Sequence, residues 1–244
     1  MSGGDYQVRI AMSAATVTAL SGDGYCLYGF KAVQCADRAG RPLVWYKTNA
    51  YSPSTTVAWS EQYRAYTSTS PIANGGQVVL GSSYPIGLGQ TLSVAANGIG
   101  TVLDGGPPQA ISIRNTTGSP YTCGIAQPAA GASSPLCALP LYGNNLDVVA
   151  PLAKVLLMFS TQPLAPGTVV GPPPGAPRLE SYSPTILIVL TSANQRDVCF
   201  DVDAGWSWGG FAWAQSCPAG SNMVPLLIET VAAGFRRRAR VLRS

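Results

Sequence analysis

Val155-Leu156-Leu157-Met158-Phe159-Ser160-Thr161-Gln162-Pro163-Leu164-Ala165-Pro166-Gly167 is apolar at each of its first five positions and then breaks into a Pro and Gly turn. A strand with one wet face alternates apolar and polar side chains, so a short run without alternation is expected in a central strand covered on both faces. Ile186 to Leu190 has the same character. Both runs fall far short of the ~20 apolar residues that a membrane-crossing helix needs. The segment also has an upstream counterpart. Ala65-Tyr66-Thr67-Ser68-Thr69-Ser70-Pro71-Ile72-Ala73-Asn74-Gly75 aligns with Leu157 to Gly167 at a constant offset of 92 residues, and Gly29-Phe30-Lys31-Ala32 faces Gly124-Ile125-Ala126-Gln127 at an offset of 95. Self-similarity at a fixed offset is the mark of a duplicated structural unit.

Working outward, the remaining segments read as short strands. In Thr55 to Tyr66 the set Val57, Trp59, Tyr63 and Ala65 alternates with Ala58, Ser60, Gln62 and Arg64, the two-residue period of a half-buried strand that Glu61 interrupts. Val198, Phe200 and Val202 alternate in the same way with Asp197, Cys199, Asp201 and Asp203. Tyr25 to Cys35, Leu43 to Lys47, Gln77 to Leu80, Thr91 to Ala95, Ala110 to Asn115 and Val224 to Ile228 are further strand candidates. One short helix is expected near the start, capped by Ser13, wound over Ala14 to Leu20 and ended by Gly22 and Gly24. Gly171-Pro172-Pro173-Pro174-Gly175-Ala176-Pro177 cannot pair as a strand and reads as a semi-rigid loop.

These readings predict an all-β fold of two related antiparallel β-sandwich units in tandem. The divisions are an N-terminal segment over 1–24, a first unit over 25–108, a second over 109–230, and a basic tail over 231–244. Leu27-Tyr28-Gly29-Phe30-Lys31-Ala32-Val33, Leu88-Gly89-Gln90-Thr91-Leu92 and Val155 to Thr161 resemble an uncharacterised group of small microbial duplicated β-sandwich proteins, over most of the chain up to about Trp208. No activity attaches to that group. The resemblance implies fold and tandem organisation and carries over no site residue.

Composition narrows the chemistry. The chain has 27 glycines, 20 prolines and 11% charged residues, a balance suited to turn-rich sheets. Five of its fifteen basic residues (Arg236, Arg237, Arg238, Arg240 and Arg243) lie in the last nine positions, which leaves ten basic against eleven acidic residues elsewhere, net −1. A near-neutral body offers no broad phosphate-binding face, so nucleic acid is an unlikely partner. The tail itself, from Phe235 to Arg243, suits anionic lipid or RNA, or frays into solvent. The first two dozen residues lack the continuous apolar core of a secretory signal, so a cytoplasmic location or release without an N-terminal signal is expected. Six cysteines permit fifteen full pairings. The Cys26 to Cys35 and Cys123 to Cys137 spacings suit bridges across hairpins, or all six stay free thiols.

There is no histidine. That removes the commonest general base and metal ligand, together with every triad built on an imidazole. No Walker loop, nucleophile elbow or dinucleotide fingerprint is present. Paired carboxylates remain as an enzymatic route. Asp201 and Asp203, about 7 Å apart on one face of an extended strand, are candidates for Ca2+ or an acid and base pair, or form a solvated strand edge with Asp197. Glu61, beside Trp59 and Tyr63, is a candidate acid or a rim residue reaching water.

Trp206-Ser207-Trp208-Gly209-Gly210-Phe211-Ala212-Trp213 packs four large aromatics around a glycine pair. Exposed rings of this kind stack on sugars or settle at a membrane interface, and sealed ones close the end of a sandwich. Trp206, Trp208, Phe211 and Trp213 are therefore the candidate ligand-binding residues, with Tyr46, Tyr51, Tyr63, Tyr66 and Tyr84 as possible extensions. The leading expectation is a non-enzymatic, lectin-like recognition protein binding a carbohydrate or cell-surface ligand. The alternatives are a membrane-active, pore-forming protein that inserts Val8 to Leu20, and a structural protein that self-assembles as a homo-oligomer.

Overall fold

The structure, a computed structural model, describes residues 5–37, 39–129, 131–171 and 185–230. The proline-rich stretch from Pro172 and the arginine tail lie outside them. In chain order the elements are β1 (Asp5–Ala11), α1 (Ala14–Gly22), β2 (Cys26–Cys35), β3 (Arg41–Pro42), β4 (Tyr46–Thr48), β5 (Ser54–Ser60), β6 (Tyr63–Ser68), β7 (Ser82–Ile86), β8 (Gln90–Val94) and β9 (Gly100–Asp104). Then follow β10 (Ile111–Asn115), β11 (Tyr121–Ala129), β12 (Ala132–Pro135), β13 (Cys137–Leu141), β14 (Leu146–Ser160), β15 (Thr185–Val189), β16 (Gln195–Asp201), β17 (Gly205–Ser207), β18 (Ala214–Cys217), α2 (Val224–Leu227) and β19 (Ile228–Thr230). Among the described residues the architecture is all-β with two short helices, neither long and apolar enough to cross a membrane.

The strands of the described residues form three sheets. The first has the order β17-β16-β1-β5. The second runs β18-β15-β14-β10-β8-β9, with β2 also on β14 and itself flanked by β4 and β19, and the third runs β3-β13-β11-β6-β7, with β12 on β11. Pairing is mixed: β1 with β16, β8 with β10, and β2 with β19 are parallel, where purely antiparallel units were expected.

The continuous apolar run does what its pattern demands. Val155, Leu157 and Phe159 of β14 belong to the main core between the sheets, while Leu156 and Met158 face the other way into a second cluster with Tyr28, Phe30, Leu187 and Leu227. Both faces of β14 are therefore dry over Val155 to Phe159, each buried side chain contributing about 1.5–3 kcal/mol. β15 divides likewise, Ile186 and Ile188 to the main core and Leu187 to the second.

The repeated phrases pair crosswise. β14, carrying Leu157 to Ser160, pairs with β2 so that Leu157 faces Gly29, and β6, carrying Ala65 to Ser68, pairs with β11 so that Tyr66 faces Gly124. Each Pro and Gly phrase thus follows a strand that pairs with the glycine phrase farther from it in sequence. The turns that follow also meet: Gly75 N donates to Val169 O at 3.0 Å and Val169 N to Gly76 O at 2.8 Å. Gly75 and Gly167, equivalent in the repeat, both have positive φ, 74° and 87°. These pairings join residues 25–108 to residues 109–230.

Several local expectations change. Thr55 to Tyr66 is two strands in different sheets, β5 and β6, because the chain turns a corner at Glu61 and Gln62. Val224 to Ile228 winds into α2 before its last residue joins β19, with Pro225 in the first turn. Gln77 to Leu80 contributes a single bridge, Gln77 with Thr168. Cys26 and Cys35 are the two ends of one extended strand, about 30 Å apart, so they cannot bridge a hairpin. All six cysteines are free thiols. The N-terminal helix forms as read, with Thr16 N donating to Ser13 Oγ at 3.0 Å. Val8 and Ile10, upstream of it, are fully buried in β1, so Val8 to Leu20 is a strand followed by a helix.

Candidate functional site

The first sheet alternates strictly, which gives it two unlike faces. Val8, Ile10, Val57, Trp59, Val198, Phe200 and Trp206 point into the main core. The outward face carries Arg9, Ala11, Ser54, Thr56, Asp197, Cys199 and Ser207, all exposed. The register sets these in rows. Ser207, Cys199, Ala11 and Ser54 lie side by side across the four strands, and the next row holds Asp197, Arg9 and Thr56. The first row consists of small side chains, so it makes a floor, while the charged row two residues away rises along one side.

The aromatic segment supplies another wall. Gly209 and Gly210 adopt φ of 73° and 72°, the left-handed region that a side chain disfavours, and a Cβ on Gly209 would sit 2.8 Å from the Phe211 ring. This turn folds Phe211 back beside Trp208, whose Nε1 donates to Phe211 O at 2.9 Å. Trp208 and Phe211 then border a groove of about 380 Å³ with Arg9, Asp197, Cys199 and Ser207. Phe211 is 60% exposed.

The four candidate rings therefore separate. Trp208 and Phe211 reach the groove. Trp213 stacks behind Phe211, centroids 6.2 Å apart, and is covered by the Arg196 guanidinium at 4.9 Å. Trp206 faces inward, 5.8 Å from Phe159 and 4.9 Å from Phe200, and is only 7% exposed. It is a core residue, contrary to its expected place in a ligand site. Strand alternation explains the outcome: Trp206 lies on the inward side of β17, whereas Trp208 stands past the strand end, where the alternation no longer applies. Of the tyrosines, Tyr66 is fully buried and Tyr63 lines a different groove, described below.

The acidic candidates also resolve. Asp203 lies beyond the end of β16, so it does not share a strand face with Asp201. Asp201 accepts from the backbone N–H groups of Asp203 and Ala204 at 2.9 and 3.1 Å and from the Thr16 hydroxyl at 3.1 Å. The Ala204 and Asp203 N–H groups, then Thr16, hold its carboxyl below the usual range. It closes the turn after β16 and ties it to α1. Among the described residues no three His, Cys, Asp or Glu side chains gather as a metal site. Glu61 accepts from the Tyr6 hydroxyl at 3.2 Å. With Tyr63, Arg64, Ile86, Gln90 and Pro128 it lines a larger groove of about 700 Å³.

Two residues were not anticipated. Arg9 has no signal beyond its place between Val8 and Ile10. Lys31 does have one, since it is the single charge inside the Leu27 to Val33 run of a strand buried over most of its length. Fold and site together define an all-β protein with an open polar sheet face walled by two aromatic rings. No protein-family model matches the chain, and neither curated proteins nor solved structures give a match.

Proposed function

We propose that this is a non-enzymatic recognition protein that binds carbohydrate in the groove on the first sheet. The observation that carries the reading is the placement of Trp208 and Phe211 beside a floor of small side chains and a charged row. Sugars present an apolar C–H face and a rim of hydroxyls, and aromatic rings with flanking polar groups answer both. Asp197 is held by its own strand, accepting from Gln195 Nε2 at 3.2 and 3.3 Å, while Gln195 Oε1 accepts from Gln7 Nε2 at 2.6 Å. No ion pair joins Asp197 to Arg9. Among the described residues no carboxylate pairs with Arg9, and in this reading its guanidinium meets a ligand's oxygens. In this reading the duplicated chain serves as scaffold: two interlocked copies of a β unit hold the first sheet rigid.

A glycan array probed with the wild type and with a Trp208→Ala, Phe211→Ala double variant tests the site. Each ring removed is expected to weaken binding, the pair together by about tenfold or more. Equal binding by the two proteins sinks the assignment, as does pelleting with anionic vesicles in the absence of any glycan bound.

A further inference from the structure

The outer strand of the first sheet, β5, is an open edge that pairs with β1 alone. Which of its backbone groups face inward follows from one bond. Met12 N donates to Pro53 O at 2.9 Å, and the register that sets Ala11 opposite Ser54 sets Met12 opposite Pro53. Opposed residues in an antiparallel pair alternate between bonded and non-bonded, so Ile10 with Thr55, Val8 with Val57 and Tyr6 with Trp59 are the bonded pairs. Thr55, Val57 and Trp59 therefore direct N–H and C=O to β1, and Ser54, Thr56, Ala58 and Ser60 direct theirs away from the sheet. Two of the outward carbonyls are engaged: Ser60 O accepts from Gln62 N at 2.8 Å and Gln127 Nε2 at 2.7 Å, and Ser54 O accepts from the Ser52 hydroxyl at 3.1 Å. Among the described residues nothing meets the outward N–H and C=O groups of Thr56 and Ala58.

Natural strand edges are blunted by charge, proline, a bulge or shortness. The other edges among the described residues follow that rule. β3, β4, β12, β17, β18 and β19 are four residues or shorter, β7 contains Pro85, and β9 begins at Gly100 and ends on Asp104. β5 has seven residues, Ser54-Thr55-Thr56-Val57-Ala58-Trp59-Ser60, with no charge, proline or glycine. Its inward side chains Thr55, Val57 and Trp59 are sealed in this chain's own interior, and the outward Ser54, Thr56 and Ala58 are small and exposed. Addition of a foreign peptide strand takes its specificity from pockets for alternate side chains, and small groups on one face with sealed ones on the other leave none along this edge. A second copy needs none. An uncharged strand beside its twofold mate meets the same donors and acceptors at the same spacing, with no like charges opposed.

We propose that β5 pairs antiparallel with β5 of a second copy of this chain, joining two four-stranded sheets into one of eight strands about a twofold axis. The groups left open set the register. Both lone pairs of Ser60 O are occupied, so the ladder centres on Thr56, which stands opposite its own copy with Ser54 facing Ala58 on either side. Each of these opposed pairs exchanges two N–H···O bonds, Ser54 O accepting through its second lone pair. The axis is perpendicular to the sheet, because residues opposed in an antiparallel pair project on the same face. Both grooves bordered by Trp208 and Phe211 therefore open on one side of the joined sheet. The Arg9 side chains, each beside Thr56 in its own copy, stand three strand spacings apart, about 14 Å, beyond the screening length of about 8 Å at physiological salt. Pairing requires no ligand and is separate from the carbohydrate reading of the groove.

An edge ladder is a small interface, so sedimentation of the intact chain from about 1 μM to about 1 mM spans the expected dissociation. The mass should rise to twice that of the chain. Residue-resolved amide exchange should slow at Thr56 and Ala58 as the dimer forms and be fast there on dilution, while Thr55, Val57 and Trp59 stay protected throughout. Ala58→Pro removes an outward N–H and leaves the ladder to β1 whole, and Thr56→Lys sets two ammonium groups against each other on the axis. Each is expected to weaken the dimer about tenfold or more. Thr56 is exposed, so Thr56→Lys folds as the wild type does and decides the matter where Ala58→Pro does not fold. A single species of chain mass up to about 1 mM, exchange at Thr56 and Ala58 that is independent of concentration, or a dimer that Thr56→Lys leaves intact overturns the proposal.

Discussion

At the scale of single residues, two buried ionisable groups oppose each other in their effect on stability. Lys31 has an ordinary pKa when unfolded and about 7 when folded, so between those values the unfolded chain holds more protons and stability rises with pH. The full penalty is present below pH 7. Asp147 is the converse case. Burial, aided by the Asp37 charge, raises its carboxyl to about 7, and its Oδ2 has no hydrogen-bond partner. Its stability contribution is whole below the unfolded carboxylate pKa and is lost as pH climbs through 7. The two curves place a shallow minimum of stability near pH 7. Above about pH 9 the buried thiols of Cys35 and Cys137, pushed up to about 11 and 12 by burial, reverse the gain from Lys31. Denaturant midpoints from pH 5 to 9 are expected to show the dip. Lys31→Met should add roughly 3 kcal/mol at pH 7 and flatten the alkaline limb, and Asp147→Asn should add roughly 2 kcal/mol at pH 8 while flattening the acid limb. A wild-type maximum at pH 7 counts against both assignments. Of this pair, Lys31 was open to reading in the sequence as a charge in an apolar strand. Asp147, at the start of Asp147-Val148-Val149, looks like a strand-edge acid, and only the packing of β10 against β14 buries it.

At the scale of elements, the aromatic segment shows how far periodicity reaches. Alternation correctly divides β5 and β16 into wet and dry faces, and the continuous runs correctly locate β14 and β15, because burial on one face or two is imposed directly on composition. The same rule fails at element ends. Trp206 and Trp208 stand two apart and read as neighbours on one face, yet β17 stops at Ser207 and the glycine pair redirects the chain. Thr55 to Tyr66 keeps its period straight through the corner at Glu61, so the pattern carries no sign that one half leaves for another sheet. β1 went unread because Val8 and Ile10 are too few to fix a period against the helix that follows. The division of the tryptophans is directly measurable. Trp206→Ala removes a ring packed on Phe159 and Phe200 and should cost about 3–5 kcal/mol. Trp208→Ala, at the groove, should change the unfolding midpoint by the equivalent of only about 1 kcal/mol. Similar losses from both would place Trp208 in the core and remove the groove's wall.

At the scale of the whole molecule, the likeness of two segments was legible and the choice of strand partner for each was not. Similarity between Ala65 to Gly75 and Leu157 to Gly167 says that two segments adopt the same conformation, and pairing each with the nearest glycine phrase in sequence leads to tandem units. The chain pairs each with the more distant one. Gly124 shows how tightly the chosen pair closes, since a Cβ there would stand 2.1 Å from Cys137 O and 3.0 Å from the Tyr66 ring. Crosswise pairing has a thermodynamic consequence that tandem units lack. Cutting the chain at residue 108 separates β2 from β14 and β6 from β11, leaving each fragment with unpaired strands and only part of the main core. Fragments 1–108 and 109–244, made separately, are each expected to lack a cooperative unfolding transition, and mixed after co-refolding they should recover it as a one-to-one complex. Two cooperative transitions from the isolated fragments, with no association between them, would show that each half completes its own core.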